Sequence, residues 1–279
     1  MCETMRPQMQ LPLIRSIPAT KYIIDMTLLA QKLLLANQDN SKIKFASGNY
    51  DIKVALTGLE SWDITRFDVI VYTAAASLYE AGNKAFTVPM LARVIVGYHA
   101  SDVSPNLCAE IEKSVNKLNA LTITIHAPDR LYSDRLLRVA PYKARNDNGT
   151  ICVHYGYVIE PVLLGYAKKL GHLYTYPIES VNTIAKMNNT MDVIVVRHYV
   201  LWRVAVAIRT HKYSRIAYET IAKDCNVSIA KARRICKRVL DHLTEIDYIN
   251  SYSEYRKERK YVGVNLTGTA KSGKSGTRN

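Results

Sequence analysis

Four kinds of residue in this sequence have the chemistry to act on a partner: a glycine-rich phosphate-loop pattern, seven histidines, nineteen tyrosines, and a run of arginines and lysines. Gly268, Gly273, Lys274 and Ser275 satisfy GxxxxGK[ST] letter for letter, the pattern whose backbone N–H groups cradle phosphates at a helix start. Only Gly276, Thr277, Arg278 and Asn279 follow, too few for that helix, and no acidic strand succeeds it. The expectation is that no nucleotide site forms here. The histidines stand at 99, 126, 154, 172, 198, 211 and 242 and never as a His-x-His pair, so the metal grip of a nicking endonuclease is not expected. With it goes the readiest nucleophilic role for the tyrosines, which read instead as amphipathic core and rim residues. HExxH, GxSxG and a Cys/His zinc spacing are also missing. The sequence therefore predicts no enzyme, no cofactor and no metal site, with His242 complementing the dipole of a helix end.

The run of cations is different. In residues 228–244 (SIAKARRICKRVLDHLT), a helix turning ~100° per residue gathers Ala232, Ile235, Cys236, Val239, Leu240 and Leu243 on one side. The other side takes Lys231, Arg233, Arg234, Lys237 and Arg238, net +4 once Asp241 is set against the five cations. The apolar side calls for a protein core and the basic side for a polyanion. A charged helix face standing alone is ordinarily a solvated surface. Here its neighbours converge on it. Residues 217–225 form a short helix, Asn226 and Val227 a tight turn, and Ser228 a cap, which is the helix-turn-helix order. Residues 246–251 and 261–266 follow as two strands around a tip, 254–260, that holds Arg256, Lys257, Arg259 and Lys260. A basic hairpin beside a basic helix is where a phosphate strand would run. The Gly- and Ser-rich tail, 267–279, is expected to be disordered and to add nonspecific attraction through Lys271, Lys274 and Arg278.

Composition agrees. The 279 residues carry a net charge of +14, and from His211 onward fifteen Lys and Arg stand against seven Asp and Glu. That asymmetry points to nucleic acid or an acidic membrane surface. At 48% hydrophobic the chain can fill two cores. Its five cysteines include no CxxC pair, and neither a signal peptide nor a membrane span is expected, so the protein is placed in a reducing cytoplasm.

Upstream, three prolines mark residues 1–20 as an extended arm, and residues 21–36 read as a short strand then a helix. Residues 42–45 and 50–56 alternate as a hairpin around Ser47, Gly48 and Asn49. Thr65 and Asp68 read as a capping box opening a helix that Gly82 stops. A second helix starts at Thr87 with Pro89 in its first turn and ends at Gly97. A third starts at Ser104, with Pro105 first, and runs to about residue 119. Residues 121–126 alternate as a strand, and 135–143 with 150–159 form a hairpin around Asn146, Asp147, Asn148 and Gly149. Three helices then a hairpin is the order of a winged helix. Its third helix carries Glu110, Glu112, Lys113 and Lys117 for no net charge, so this unit is expected to serve packing or dimer contacts, with Lys143 and Arg145 at most a minor DNA contact. A helix from Pro161 to about 172 and an extended connector, 174–183, lead to the second unit. There Asn189 or Thr190 caps a long helix to about Thr210, whose Arg197, Arg203 and Arg209 are expected to be solvated or salt-bridged.

Two such units in one chain resemble the tandem winged-helix replication initiators of bacterial plasmids and related mobile elements. The residues that carry the likeness are FDVIVYTAAASLYEAGN (67–83) and TVPMLARVIVG (87–97) in the first unit, and VVRHYVLWRVAVAI (195–208) and IAKARRICKRVLDHLTEIDYI (229–249) in the second. The likeness spans about residues 42–266, by order of elements more than by a diagnostic signature. It implies origin binding at short repeats, a first domain that dimerises or assists, a second that reads the major groove, recruitment of host replication proteins, and no catalysis by the initiator.

The expected architecture is therefore α+β, mainly helical, with two winged-helix domains in tandem: an arm and apolar segment (1–41), a first winged helix (42–173), a second (174–266) and the basic tail (267–279). The expected function is sequence-specific binding of double-stranded DNA in replication initiation, with a winged-helix transcriptional regulator as the alternative on the same fold. Ser228 caps the contact helix, Lys231, Arg233 and Arg234 approach base edges, and Lys237, Arg238 and the four hairpin cations hold phosphates. Expected partners are DNA, a second copy through the first domain, and host replication proteins, with no membrane.

Overall fold

The structure, a computed structural model, describes residues 12–25, 51–56, 64–98, 103–127, 130–169, 173–182, 189–210 and 215–269. Two strands come first, β1 (Lys21–Asp25) and β2 (Asp51–Leu56). The first unit follows as α1 (Arg66–Glu80), β3 (Ala85–Phe86), α2 (Val88–Val96), α3 (Pro105–Ala120), β4 (Leu121–Ala127), β5 (Arg130–Arg135), β6 (Val139–Arg145) and β7 (Ile151–Tyr157). Next are α4 (Val162–Lys169), β8 (Leu173–Pro177) and α5 (Glu179–Asn182). The second unit is α6 (Met191–Thr210), β9 (Arg215–Ala217), α7 (Tyr218–Cys225), α8 (Ile229–Glu245), β10 (Ile249–Lys257) and β11 (Lys260–Thr269). The fold is mixed α+β, and no helix among the described residues is long and apolar enough to cross a membrane.

Local chemistry sets the helix ends. Asp68 accepts from the Thr65 amide at 2.7 Å while the Thr65 hydroxyl accepts from the Asp68 amide at 3.3 Å, closing the capping box of α1. Asp68 is also buried, and takes the Ser114 hydroxyl at 2.6 Å and the Lys117 ammonium at 2.8 Å, so one carboxylate starts α1 and pins α3 to it. Thr87 and Ser104 cap α2 and α3, each followed by proline in the first turn. Gly82 and Gly97 hold the positive φ that follows α1 and α2.

The two units repeat one topology. In each, a helix, a short strand, two helices and a hairpin follow in order, and the short strand pairs antiparallel with the hairpin's second strand, giving β3-β7-β6 and β9-β11-β10. The first unit differs by an insertion: β4 pairs with both β5 and β2. The hairpin expected from residue 135 therefore begins at Val139. Leu136 and Leu137, both buried, turn inward between the two sheets, and the Leu137 amide bonds to the Leu118 carbonyl, so this stretch plugs the core instead of extending the strand. Of the expected hairpin over 42–56, residues 42–45 lie outside the described residues, and β2 finds its partner in β4.

The connector over 174–183 is structural. Its first part is β8, paired antiparallel with β1, and Tyr176 stacks on Tyr22 at 5.0 Å with the rings 5° apart. The arm is also docked, since Asn83 bonds both the amide and carbonyl of Ile17 at 2.8 Å and the Tyr98 hydroxyl accepts from the Ala19 amide. The main apolar core runs from Ala19 through both units to Leu266, with Ala76 and Leu164 forming a small second cluster.

At the junction, α6 is buried on every side over residues 196–201, because it packs on helices of both units. This overturns the expectation for Arg197. It is fully buried without an acidic partner among the described residues, donating to the Ile95 carbonyl at 2.8 Å and to Asn189 at 3.4 Å. Burial pushes its pKa down to about 10, which leaves it charged at neutral pH. His198 bonds the same Ile95 carbonyl and the Tyr176 hydroxyl, both at 2.8 Å. Burial, then the Arg197 charge, push its pKa down to about 3, so the neutral ring donates through Nε2 and accepts at Nδ1. A second tie joins Arg66 at the start of α1 to Asp224 in α7, which also accepts the Tyr199 hydroxyl at 2.7 Å.

Candidate nucleic-acid interface

The apolar residues of α8 decide what the helix shows to solvent. Ala232, Ile235, Cys236, Val239, Leu240 and Leu243 are all buried, seating the helix on α6 and α7. Asn226, at φ 51°, makes the left-handed turn between α7 and α8, and the Ser228 hydroxyl accepts from the Lys231 amide at 3.2 Å. What remains outside is Ile229, Ala230, Arg234, Arg238, Asp241 and Glu245, with Lys231, Arg233, Lys237 and Thr244 half-buried. Ile229 is 52% exposed, an apolar side chain on the first turn of an otherwise basic surface. His242 lies in the last turn of α8, and its side chain is buried on the core side.

The hairpin is longer than expected and its tip shorter. β10 continues to Lys257 and β11 starts at Lys260, leaving Glu258 and Arg259 as a two-residue turn with φ values of 49° and 66°. Both signs match the turn that suits the twist of paired strands. Alternation of apolar residues stops before the ladder does, which is why the strand ends could not be placed from hydropathy. Gly263 allows β9 to cross close by, since a Cβ there would meet the Ile216 carbonyl oxygen at 2.4 Å.

The cations expected to face DNA fall into two groups. Lys231 pairs with Asp192 of α6 at 2.6 Å. Arg233 grips Glu254 of β10 with two bonds, 2.8 and 3.2 Å, and Lys237 reaches the same carboxylate at 3.3 Å. The Tyr218 hydroxyl of α7 completes the set at 2.7 Å. The Glu254 side chain is only 13% exposed, and Arg233 above all holds its carboxyl down to about 2. Both Arg233 and Arg256 lie over the Tyr261 ring, at 4.2 and 4.1 Å from its centroid, and Arg256 also donates to the Tyr261 hydroxyl. Arg234, Arg238, Lys257, Arg259 and Lys260 are exposed and make no ion pair among the described residues. Glu254, Tyr218, Tyr261 and Asp192, which hold these cations, are not among the residues expected from the sequence. Glu254 had one signal: it is the acidic residue two positions from Tyr252 and from Arg256, on one face of a strand.

The sequence matches no protein-family model and no curated protein. The surface is thus read from its own geometry. Its counterpart in the first unit is chemically different: on α3, Lys113 pairs with Glu110 at 2.6 Å, Lys117 with Asp68 at 2.8 Å, and Glu112 accepts the Tyr155 hydroxyl at 2.9 Å. Beside it, Lys143 and Arg145 on β6 are exposed, in register with Val153 and Ile151, which are 45% and 53% exposed. Of the glycine-rich pattern, Gly268 and Thr269 end β11, and residues 270–279 lie outside the described residues.

Proposed function

We propose that this protein is a sequence-specific double-stranded DNA-binding protein of two tandem winged-helix units, acting in the cytoplasm as a plasmid or mobile-element replication initiator. The observation that carries the DNA reading is the two exposed arginines on α8, Arg234 and Arg238, which make no ion pair among the described residues, beside a hairpin tip bearing Lys257, Arg259 and Lys260. Free cations on a helix whose opposite side is locked in the core are presented at fixed spacing, as a duplex backbone requires. The repeated element order and sheet order support the winged-helix assignment for both units. In this reading α8 enters the major groove by its first turns, where Arg234 meets a guanine edge and Ile229 a thymine methyl. Arg238 and the hairpin cations hold phosphates. The first unit, whose α3 cations are internally paired, serves a second copy of the chain and host replication proteins.

A regulator would use the same surface, so the deciding test is biological. Genomic footprinting should locate the bound site in a cluster of short repeats, and those repeats with this protein should sustain a plasmid that has lost its own initiator. A single bound operator beside a promoter, with no plasmid rescue, would assign regulation instead.

A further inference from the structure

Glu254 stands where α7, α8 and the hairpin meet, and four donor bonds converge on its two oxygens. Oε1 takes the Tyr218 hydroxyl at 2.7 Å and Arg233 Nε at 2.8 Å, and Oε2 takes Arg233 Nη2 at 3.2 Å and Lys237 Nζ at 3.3 Å. We propose that Glu254 is the positioning residue of this interface: it withholds Arg233 and Lys237 from DNA and fixes the hairpin against α8, so that Arg234 is left to the base edges and Arg238 and the hairpin tip make the phosphate contacts. The proposal rests on the DNA-binding reading given above.

The physical case is one of competition. Drawing Arg233 away to a phosphate would break a two-pronged guanidinium–carboxylate pair and leave a carboxylate that is 13% exposed with Tyr218 and Lys237 as its remaining donors. Arg233 also covers the Tyr261 ring, so its movement would uncover an aromatic surface on β11. Arg234, one residue on, has no such partner among the described residues and needs no exchange. Two of the five cations on α8 are thus neutralised by one acid that lies 21 and 17 residues away along the chain. The same bonds order the hairpin before any ligand arrives, so its position need not be fixed on binding.

Salt dependence separates the two groups of cations, because each phosphate neutralised contributes about 0.9 to the slope of log K against log salt. The full-length protein and a duplex obtained from it by selection are titrated from low to high salt. Arg238→Ala should flatten the slope by about 0.9, while Arg233→Ala and Lys237→Ala leave it unchanged. Glu254→Gln should release both withheld cations, steepen the slope by up to about 1.8, and narrow the difference between the selected and a scrambled duplex. Tyr218→Phe, which removes one bond and no charge, should lower the melting temperature with the slope intact. A slope flattened by Arg233→Ala as much as by Arg238→Ala would overturn the proposal while leaving DNA binding in place, and this comparison decides even where Glu254→Gln fails to fold. Absence of salt-dependent binding by the unaltered protein would overturn the DNA reading, and the proposal with it.

Discussion

The third helices of the two units, α3 and α8, occupy the same place in the same order of elements and use their cations in opposite ways. On α3, Lys113 and Lys117 are matched to Glu110 and Asp68, and the helix is bound inward. On α8, Arg234 and Arg238 face outward without a partner among the described residues, while Arg233 and Lys237 converge on Glu254. Each unit thus contains a carboxylate on which several groups converge, but to different ends. Asp68 holds a helix start to a neighbouring helix; Glu254 holds a hairpin to a helix that has cations to spare. Topology alone does not make a nucleic-acid surface. In the proposed reading the difference lies in the charge left over after internal pairing.

The contrast presupposes that the two units keep one orientation, and the junction gives the largest expected effect. His198 has its pKa depressed from 6.5 to about 3, so between those values the unfolded chain binds a proton that the folded chain refuses. Stability is therefore full above about pH 6.5 and declines as pH falls toward 3, by roughly 4 kcal/mol across the window. Denaturant unfolding at stepped pH should show this decline, and His198→Gln should flatten it. An unaltered pH profile in that variant would remove His198 from the junction.

Next in size is Asp68→Ala, which takes away the carboxylate half of the capping box of α1 and the acceptor of the buried Ser114 hydroxyl. A loss of about 2–4 kcal/mol is expected in chemical denaturation, with DNA affinity of the folded protein unchanged. Reduced affinity at equal folded fraction would bring α3 into the DNA surface and erase the contrast. Arg234→Ala should cost about 1–3 kcal/mol of discrimination between the selected duplex and its single-base variants, read by competition titration. Uniform weakening on every duplex would reassign Arg234 from base edge to phosphate. Smallest is Lys113→Ala, an exposed pair partner on α3 worth about 0.2–0.5 kcal/mol, with no change in DNA affinity.

Much of the helical framework is legible in the sequence because its signals are local. The caps at Thr65, Thr87, Ser104 and Ser228 bond to amides three residues on, and the stops at Gly82 and Gly97 concern one residue's φ. The apolar stripe of α8 is a matter of angular period, and every one of its predicted core residues is buried. Strand bounds were harder to read. At Leu136 and Leu137 an apolar run became an inward turn, and in β10 a charged run remained strand, since pairing depends on the partner chain segment and not on the segment alone.

By itself the sequence determined that a basic, amphipathic, capped helix lies between a tight turn and a charged hairpin, because these properties reside within a few consecutive residues. Which of its cations are free was decided only by tertiary structure. Asp192 meets Lys231 from 39 residues away, and Glu254 meets Arg233 from 21. Arg197, whose neighbours in the chain look like those of any surface arginine, reaches Ile95 across 102 residues. Charge is a property of a residue, but availability belongs to the pair it forms, and pairs at that separation are set by how the helices and the hairpin dock.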